Sequence, residues 1–124
     1  MCKYKKSMKK ELNIGRHTIG SKNPVYFIAD IAANHDGDIG RAKDLIWKVA
    51  DSGGQAVKFQ NFFAQTIVSD YGFKSLNGQK SHQSKWKKSV FEVYQDAAIP
   101  LEWTNILRET ADNAGVDYLT APYD

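Results

Sequence analysis

The chain has 124 residues, which is enough for one compact domain with a modest core. Its 42% hydrophobic and 25% charged residues are typical of a globular protein and exclude a disordered or fibrous chain. The net charge of +3 is small, and no membrane span of roughly 18 apolar residues or signal-peptide pattern is present, so we expect a cytoplasmic protein with no membrane partner.

Residues 1–24 are predicted to be a basic tail followed by a short β-hairpin, which alternating residues at 11–23 indicate. Residues 1–10 contain five lysines, and a second basic cluster comprises Lys80, Lys85, Lys87 and Lys88. Charge runs of this kind are usually solvated, and no nucleic-acid-binding motif accompanies them, so we expect no nucleic acid partner. The single cysteine, Cys2, excludes a disulfide within the chain and favours a reducing cytoplasm.

Residues 25–60 are predicted to form a β-α-β unit. Residues 25–33 (VYFIADIAA) are nearly all apolar, as expected for a parallel strand buried on both faces, and a loop rich in turn formers follows them. Asp38 is a candidate N-cap for a helix with apolar residues at helical spacing, which ends at Gly53. The second strand comprises residues 56–60, and such crossovers are right-handed almost without exception.

The remaining residues are predicted to form a long loop, two helices and a third strand. The polar residues 61–84 are expected to be loop, and the spacing of Trp86, Phe91 and Tyr94 indicates a helix at 85–97 with these aromatic residues in the core. A further helix is expected from Pro100 to Gly115. The third strand is residues 118–121, stopped by Pro122.

This order of elements predicts an α/β fold with a parallel sheet, formed by residues 25–124 as three β/α units. Two open apolar edges flank a sheet of three strands, and an exposed edge is a pairing hazard. We therefore expect the chain to be truncated, and expect it to associate or aggregate when isolated.

Ligands bind at the carboxyl ends of strands in parallel α/β folds. Lys58 and Gln60 share one face of the second strand, while Val57 and Phe59 share the other. A lysine inside a buried strand is costly unless an anion accompanies it, so we expect Lys58 to bind phosphate or carboxylate and Gln60 to orient it. The alternative is an edge lysine that reaches water.

Three polar residues of the first strand and its loop are further candidates. Asp30 is a base or substrate hydroxyl acceptor, or the structural ion-pair partner of Lys58, and the residues leave both open. His35 is a catalytic acid, a base or ligand, or a hydrogen-bonding organiser of its loop, and Asn34 precedes it. No glycine-rich nucleotide loop, nucleophile elbow or pair of metal-binding histidines is present in the sequence.

Residues 27–38 (FIADIAANHDGD) resemble the first-strand signature of the N-acetylneuraminate (sialic acid) synthase family, commonly written FIAEIGxNHxGD. Residues 42–46 (AKDLI), 55–60 (QAVKFQ) and 118–124 (YLTAPYD) match later family motifs in order. The resemblance covers nearly the whole chain from Glu11 onward.

The resemblance implies the first part of a (β/α)₈ barrel that condenses phosphoenolpyruvate with an N-acyl amino sugar, giving a nonulosonic acid and phosphate. It implies that Lys58 and Gln60 hold phosphoenolpyruvate and that Asp30 serves the reacting centre. It also implies that Asn34 and His35 shape the site, that Thr120 contacts substrate, and that a full-length protein is a homodimer. A divalent metal, Mn or Mg, is implied to activate the sugar aldehyde, with its ligands on later strands outside this chain.

Three departures from the family pattern concern the site. Asp30 stands where the family usually has Glu, and a long polar insertion at residues 75–88 replaces a shorter loop, which suggests a different sugar. Thr120-Ala121-Pro122 replaces Ser-Thr-Pro, with Thr120 on the alternate face from Ala121.

A (β/α)₈ barrel needs about 250 residues. We therefore expect an enzyme fragment that is inactive alone. The alternative is a non-catalytic remnant or split subunit that docks onto a partner through its open sheet edges.

Overall fold

The computed structural model describes residues 11–75 and 86–123, and these residues form two sheets and five helices. The elements in chain order are β1 (Glu11–Ile14), β2 (His17–Gly20), β3 (Ile28–Ala32), α1 (Ile39–Asp51), β4 (Ala56–Asn61), α2 (Ala64–Ile67), α3 (Asp70–Ser75), α4 (Val90–Ala97), α5 (Trp103–Ala114) and β5 (Asp117–Pro122). Several features named in the sequence analysis lie outside the described residues: the basic tail with Cys2, and most of the 75–88 insertion with Lys80 and His82. None of the described helices has the length and apolar character needed to cross a membrane.

The larger sheet has three parallel strands in the order β3-β4-β5, which confirms the expected α/β fold with a parallel sheet. Residues of one sheet face and of α1 and α5 form the core, in which Ile46, Val57, Phe59 and Leu107 are fully buried. The central strand β4 therefore directs its odd-numbered side chains toward the helices.

The helix boundaries follow from local hydrogen bonds. The side chain of Asp38 accepts from the backbone N–H groups of Gly40 at 2.7 Å and Arg41 at 3.3 Å, which confirms it as the N-cap of α1. Ser89 and Glu92 form a reciprocal capping box at the start of α4. Helix α5 ends before Gly115, as the sequence indicates.

Strand β3 corrects the expectation of a long strand buried on both faces. It comprises only Ile28–Ala32, and the side chains of Val25 and Phe27 before it are 69% and 64% exposed. Because β3 pairs only with β4 among the described residues, one of its edges has no covering strand.

The segments after β4 also differ from the sequence-based expectation. The expected loop contains the short helices α2 and α3 at Ala64–Ile67 and Asp70–Ser75, and α4 begins at Val90 rather than at residue 85. Trp86 is exposed and Phe91 and Tyr94 are half-buried, so the prediction that they belong to the core was wrong.

The antiparallel β1–β2 hairpin, which confirms the expectation, packs against the start of β5 through Asp117. Asp117 accepts hydrogen bonds from Tyr26 Oη at 2.7 Å and His17 Nδ1 at 3.1 Å. Burial, with the hydrogen bond to Asp117 and the charge of that carboxylate, raises the pKa of Tyr26 to about 12. Sequence reasoning gave His17 no partner, whereas the fold brings it to a residue 100 positions away.

Gly15 at the hairpin turn is required twice over. Its φ is +52°, and a Cβ at this position would lie 2.1 Å from Oδ1 of Asp117. The carboxylate of Asp117 is held in place by its two hydrogen bonds.

We expect Gly15→Ala to lower the free energy of unfolding by about 2 kcal/mol or more in urea denaturation. Gly53→Ala is the matched control, because Gly53 has a φ of +80° with no atom within 4 Å, and it should cost only about 1 kcal/mol. If both variants lost the same free energy of unfolding, the side chain of Asp117 would have to move away from the added Cβ at little cost.

Candidate functional site

An ion pair between Lys58 and Asp30 is the centre of the candidate site. The two residues are register partners on β4 and β3, and Lys58 Nζ lies 2.9 Å from Asp30 Oδ2. Their side chains are 34% and 49% exposed, on the sheet face opposite the helices. The pair is therefore accessible to solvent, and an anion that binds Lys58 would compete with the carboxylate of Asp30.

Gln60 lies on the same face of β4, two residues beyond Lys58 and about 7 Å further along the strand. Its Nε2 donates to the hydroxyl of Tyr123 at 3.4 Å, a long hydrogen bond. An amide with such a weak partner retains donors for a ligand at the carboxyl end of the sheet. The predicted shared face of Lys58 and Gln60 is therefore present.

Asp30 has two open roles, and the structure shows the contact that one of them requires. Its carboxylate is the ion-pair partner of Lys58, as the structural alternative expects. The same carboxylate lies beside the group proposed to bind an anion, so it also competes with any ligand of Lys58. A role as a base stays a prediction.

Asn34 lies two residues after the end of β3, and its hydrogen bonds are made within the loop and to α1. Its Nδ2 donates to the backbone oxygen of Ile31 at 2.9 Å, and its backbone oxygen accepts from Arg41 Nε at 2.7 Å. These bonds connect the strand end to the first turn of α1. Contact between Asn34 and substrate stays a prediction.

His35 lies on the helix side of the sheet, away from Lys58. Its side chain is fully buried, its ring meets that of Trp103 edge to face at 5.7 Å, and Nδ1 accepts from the N–H of Gly37 at 3.1 Å. Burial lowers the pKa of His35, against smaller opposing effects of Asp36 and the Ala97 backbone. These contacts fit the organiser of a loop, and the geometry gives the catalytic alternative no support.

Thr120 lies on the opposite face of the sheet from Lys58 and Gln60. It is the register partner of Phe59, so it belongs to the helix side, and its hydroxyl donates to Oδ1 of Asn61. Nδ2 of Asn61 in turn donates to the hydroxyl of Thr104 in α5 at 3.4 Å. The expectation that Thr120 contacts the same substrate as Lys58 is not supported by this position, because strand alternation sends it to the opposite face.

Sequence reasoning missed the aromatic residues that meet beyond the end of β4. Phe62 packs against Tyr94 and Tyr123, with ring centroids 5.6 Å and 6.4 Å apart. Tyr123 also reaches Gln60, so this cluster borders the candidate site. Only the position of Phe62 directly after the strand could have indicated it.

Comparisons with known proteins agree on one family. The NeuB family pattern matches residues 45–124. The N,N'-diacetyllegionaminic acid synthase of Legionella pneumophila is 30% identical over 105 residues, 85% of this chain and 29% of that protein. The spore coat polysaccharide biosynthesis protein SpsE of Bacillus subtilis is 33% identical over 113 residues, 90% of this chain and 28% of that protein.

A solved structure shares the fold. The N-acetylneuraminic acid synthetase of Leptospira borgpetersenii superposes with a TM-score of 0.69 at 23% identity, over 92% of this chain and 34% of that one. The chain thus spans less than a third of the length of the two curated relatives.

The buried His35 makes stability depend on pH. The pKa of His35 is lowered in the folded chain, so as the pH falls the unfolded chain binds a proton near pH 6.5, before the folded chain does. The contribution of His35 to the free energy of unfolding is therefore complete above pH 6.5 and is lost as the pH falls below it. His35→Asn, which retains an acceptor for Gly37, should reduce the pH slope of the unfolding free energy between pH 7 and 5 by up to about 1.4 kcal/mol per pH unit, the limit for one proton. Urea denaturation across this range measures it, and identical slopes would contradict the assignment.

Proposed function

Because the chain belongs to the NeuB family of sugar-acid synthases, we propose that Lys58 and Gln60 bind phosphoenolpyruvate for its condensation with an N-acyl amino sugar. The products are a nonulosonic acid and phosphate. The observation that carries the proposal is the Lys58–Asp30 pair on the face opposite the core, with Gln60 beside it at the carboxyl end of β4. The name of the Legionella relative supports the product class.

Phosphoenolpyruvate suits this arrangement because it carries two anionic groups. Lys58 supplies a charge-assisted hydrogen bond to one of them, and the Gln60 amide orients the ligand along the strand. Asp30 holds the Lys58 side chain in place before the ligand arrives and yields part of the contact when it binds. We expect the 124 residues alone to bind the anion without turnover.

The strands β3, β4 and β5 are proposed to be the first three strands of a (β/α)₈ barrel, with the face that carries Lys58 turned toward the barrel axis. The hairpin contacts the amino end of β5, where Asp117 accepts a hydrogen bond from His17. Ligands would therefore approach from the carboxyl ends. Assembly as a homodimer and location in the cytoplasm stay predictions.

The resemblance implies a divalent metal whose ligands come from later strands of the barrel. No group of three or more His, Cys, Asp or Glu side chains within residues 11–75 and 86–123 is placed to hold a metal ion. The described residues therefore do not fit the metal.

The binding test compares Lys58→Ala with the unchanged chain in a phosphorus NMR titration with phosphoenolpyruvate. Losing one charge-assisted hydrogen bond should weaken binding about tenfold. The control is Lys88→Ala, which removes a lysine that is also ion-paired, with Asp96, but belongs to the segment before α4 rather than to a strand of the sheet. Asp30→Asn should tighten binding severalfold, because it removes the competing carboxylate. Equal affinities in Lys58→Ala and Lys88→Ala would remove Lys58 from the anion role.

The docking alternative is favoured by one observation. Phe27, Ile28, Leu45 and Val49 line an exposed apolar cavity of about 550 Å³ between β3 and α1, at the uncovered edge of the sheet. If the chain acts by docking, sedimentation velocity should show concentration-dependent association that Ile28→Lys abolishes, because a charge on an edge strand blocks pairing. Tyr71→Lys is the control, since Tyr71 is 84% exposed outside the sheet. A monomer at every concentration would exclude this alternative.

A further inference from the structure

A cavity of about 370 Å³ lies between the β1–β2 hairpin and the residues that lead into β3 and β4. Tyr26 and Gln55, which precede these two strands, both line it, so it opens at the amino end of the sheet, away from Gln60. Its volume falls in the range of about 300–1,000 Å³ that is typical of small-molecule sites. We call it the hairpin cavity.

The carboxylate and the glutamine amide beside the hairpin cavity are already hydrogen-bonded within the chain. Oε1 of Gln55 accepts from the backbone N–H of Phe27 at 2.7 Å. The carboxylate of Asp117 accepts from Oη of Tyr26 at 2.7 Å and from Nδ1 of His17 at 3.1 Å, and its side chain is only 12% exposed. A cationic ligand would therefore have to displace one of these bonds.

Two donor groups of the lining are unused in the part of the chain that the structure describes. The guanidinium of Arg16, in the hairpin turn, has no ion pair or hydrogen bond with residues 11–75 or 86–123. Nδ2 of Asn23 is buried and has no hydrogen-bond partner among the same residues. A buried donor without an acceptor is costly, so the hairpin cavity favours a ligand that brings acceptors.

Pro24 and Val25 supply an apolar wall next to these donors. Val25 is 69% exposed, so the alkyl chain of a ligand can cover it without displacing another residue. A guanidinium forms two parallel hydrogen bonds to a carboxylate, and apolar surfaces that leave water together add to the affinity. A guanidinium, an amide donor and an apolar wall thus suit a small carboxylate with a short alkyl chain.

We propose that the hairpin cavity is a second binding site, which takes a short-chain carboxylate. The carboxylate contacts Arg16, and a rotation of the Asn23 side chain brings Nδ2 to it, while the alkyl chain lies on Val25. The ligand thereby joins the hairpin to the segment before β3, two parts of the chain that meet only in the folded state. The proposal does not depend on the function of Lys58 and Gln60.

The test is a titration of the isotope-labelled 124-residue chain, followed by the NMR shifts of its backbone amides at constant ionic strength. Acetate, butanoate and butanamide are the probes. Butanoate should shift the amides of Arg16 and Asn23, and it should bind about tenfold more tightly than butanamide, which has the same length but no charge. Butanoate should also bind about fourfold more tightly than acetate, because two further methylenes become half-buried.

Three variants test the contacts one by one. Arg16→Gln should weaken butanoate about tenfold. Arg108→Gln is its matched control and should change nothing, because Arg108 is exposed on α5 and does not line the hairpin cavity. Asn23→Asp keeps the shape of the side chain but repels the ligand, so it should also weaken butanoate. Val25→Ser should remove the preference for butanoate over acetate while acetate still binds.

Four results would overturn the proposal. The first two are equal affinities for butanoate and butanamide, and equal losses in Arg16→Gln and Arg108→Gln. The third is tighter binding of inorganic phosphate than of butanoate, which would indicate a phosphate site. The fourth is loss of the butanoate shifts in Lys58→Ala, which would place the carboxylate at the proposed phosphoenolpyruvate site. Shifts that persist in Lys58→Ala and vanish in Arg16→Gln would support the hairpin cavity whatever the outcome for phosphoenolpyruvate.

Discussion

The alternation of side chains along β4 is the constraint on which the rest of the structure depends. Val57 and Phe59 are fully buried against the helices, so Lys58 and Gln60 must lie on the opposite face. Strand β4 is central, and its neighbours on both sides take their register from it. One buried pair thus packs against the helix layer and also directs a positive charge and an amide to the opposite face of the sheet.

The positions of side chains were predictable where they follow from the alternation of residues along a strand or from the pairing of consecutive strands. The shared face of Lys58 and Gln60 follows from two-residue periodicity, and the approach of Asp30 to Lys58 follows from the parallel pairing of consecutive strands. The N-cap role of Asp38 also follows from its position before an amphipathic run. These features need only a few neighbouring residues.

The features that the sequence did not predict depend on contacts between distant residues, or on whether other elements pack over a helix face. The contact of His17 with Asp117 joins residues 100 positions apart, and no local pattern reports it. Helical spacing of Trp86, Phe91 and Tyr94 indicated a helix face but not whether other elements would cover it. Helices α2 and α3, with four and six residues, are too short to show a period.

The irregularity in β3 has a consequence for the backbone itself. Two residues of β3, Ile31 and Ala32, stand opposite the single residue Phe59, and Ala32 adopts a φ of 51°. The family signature has glycine at this position, where a left-handed backbone carries little cost, whereas alanine there costs roughly 1–2 kcal/mol. Ile31 is buried in the core on one side, and Asp30 is tied to Lys58 on the other. Together they hold a strained peptide at the point where the strand leads into the loop of Asn34, so the backbone of this loop begins beside the Lys58–Asp30 ion pair.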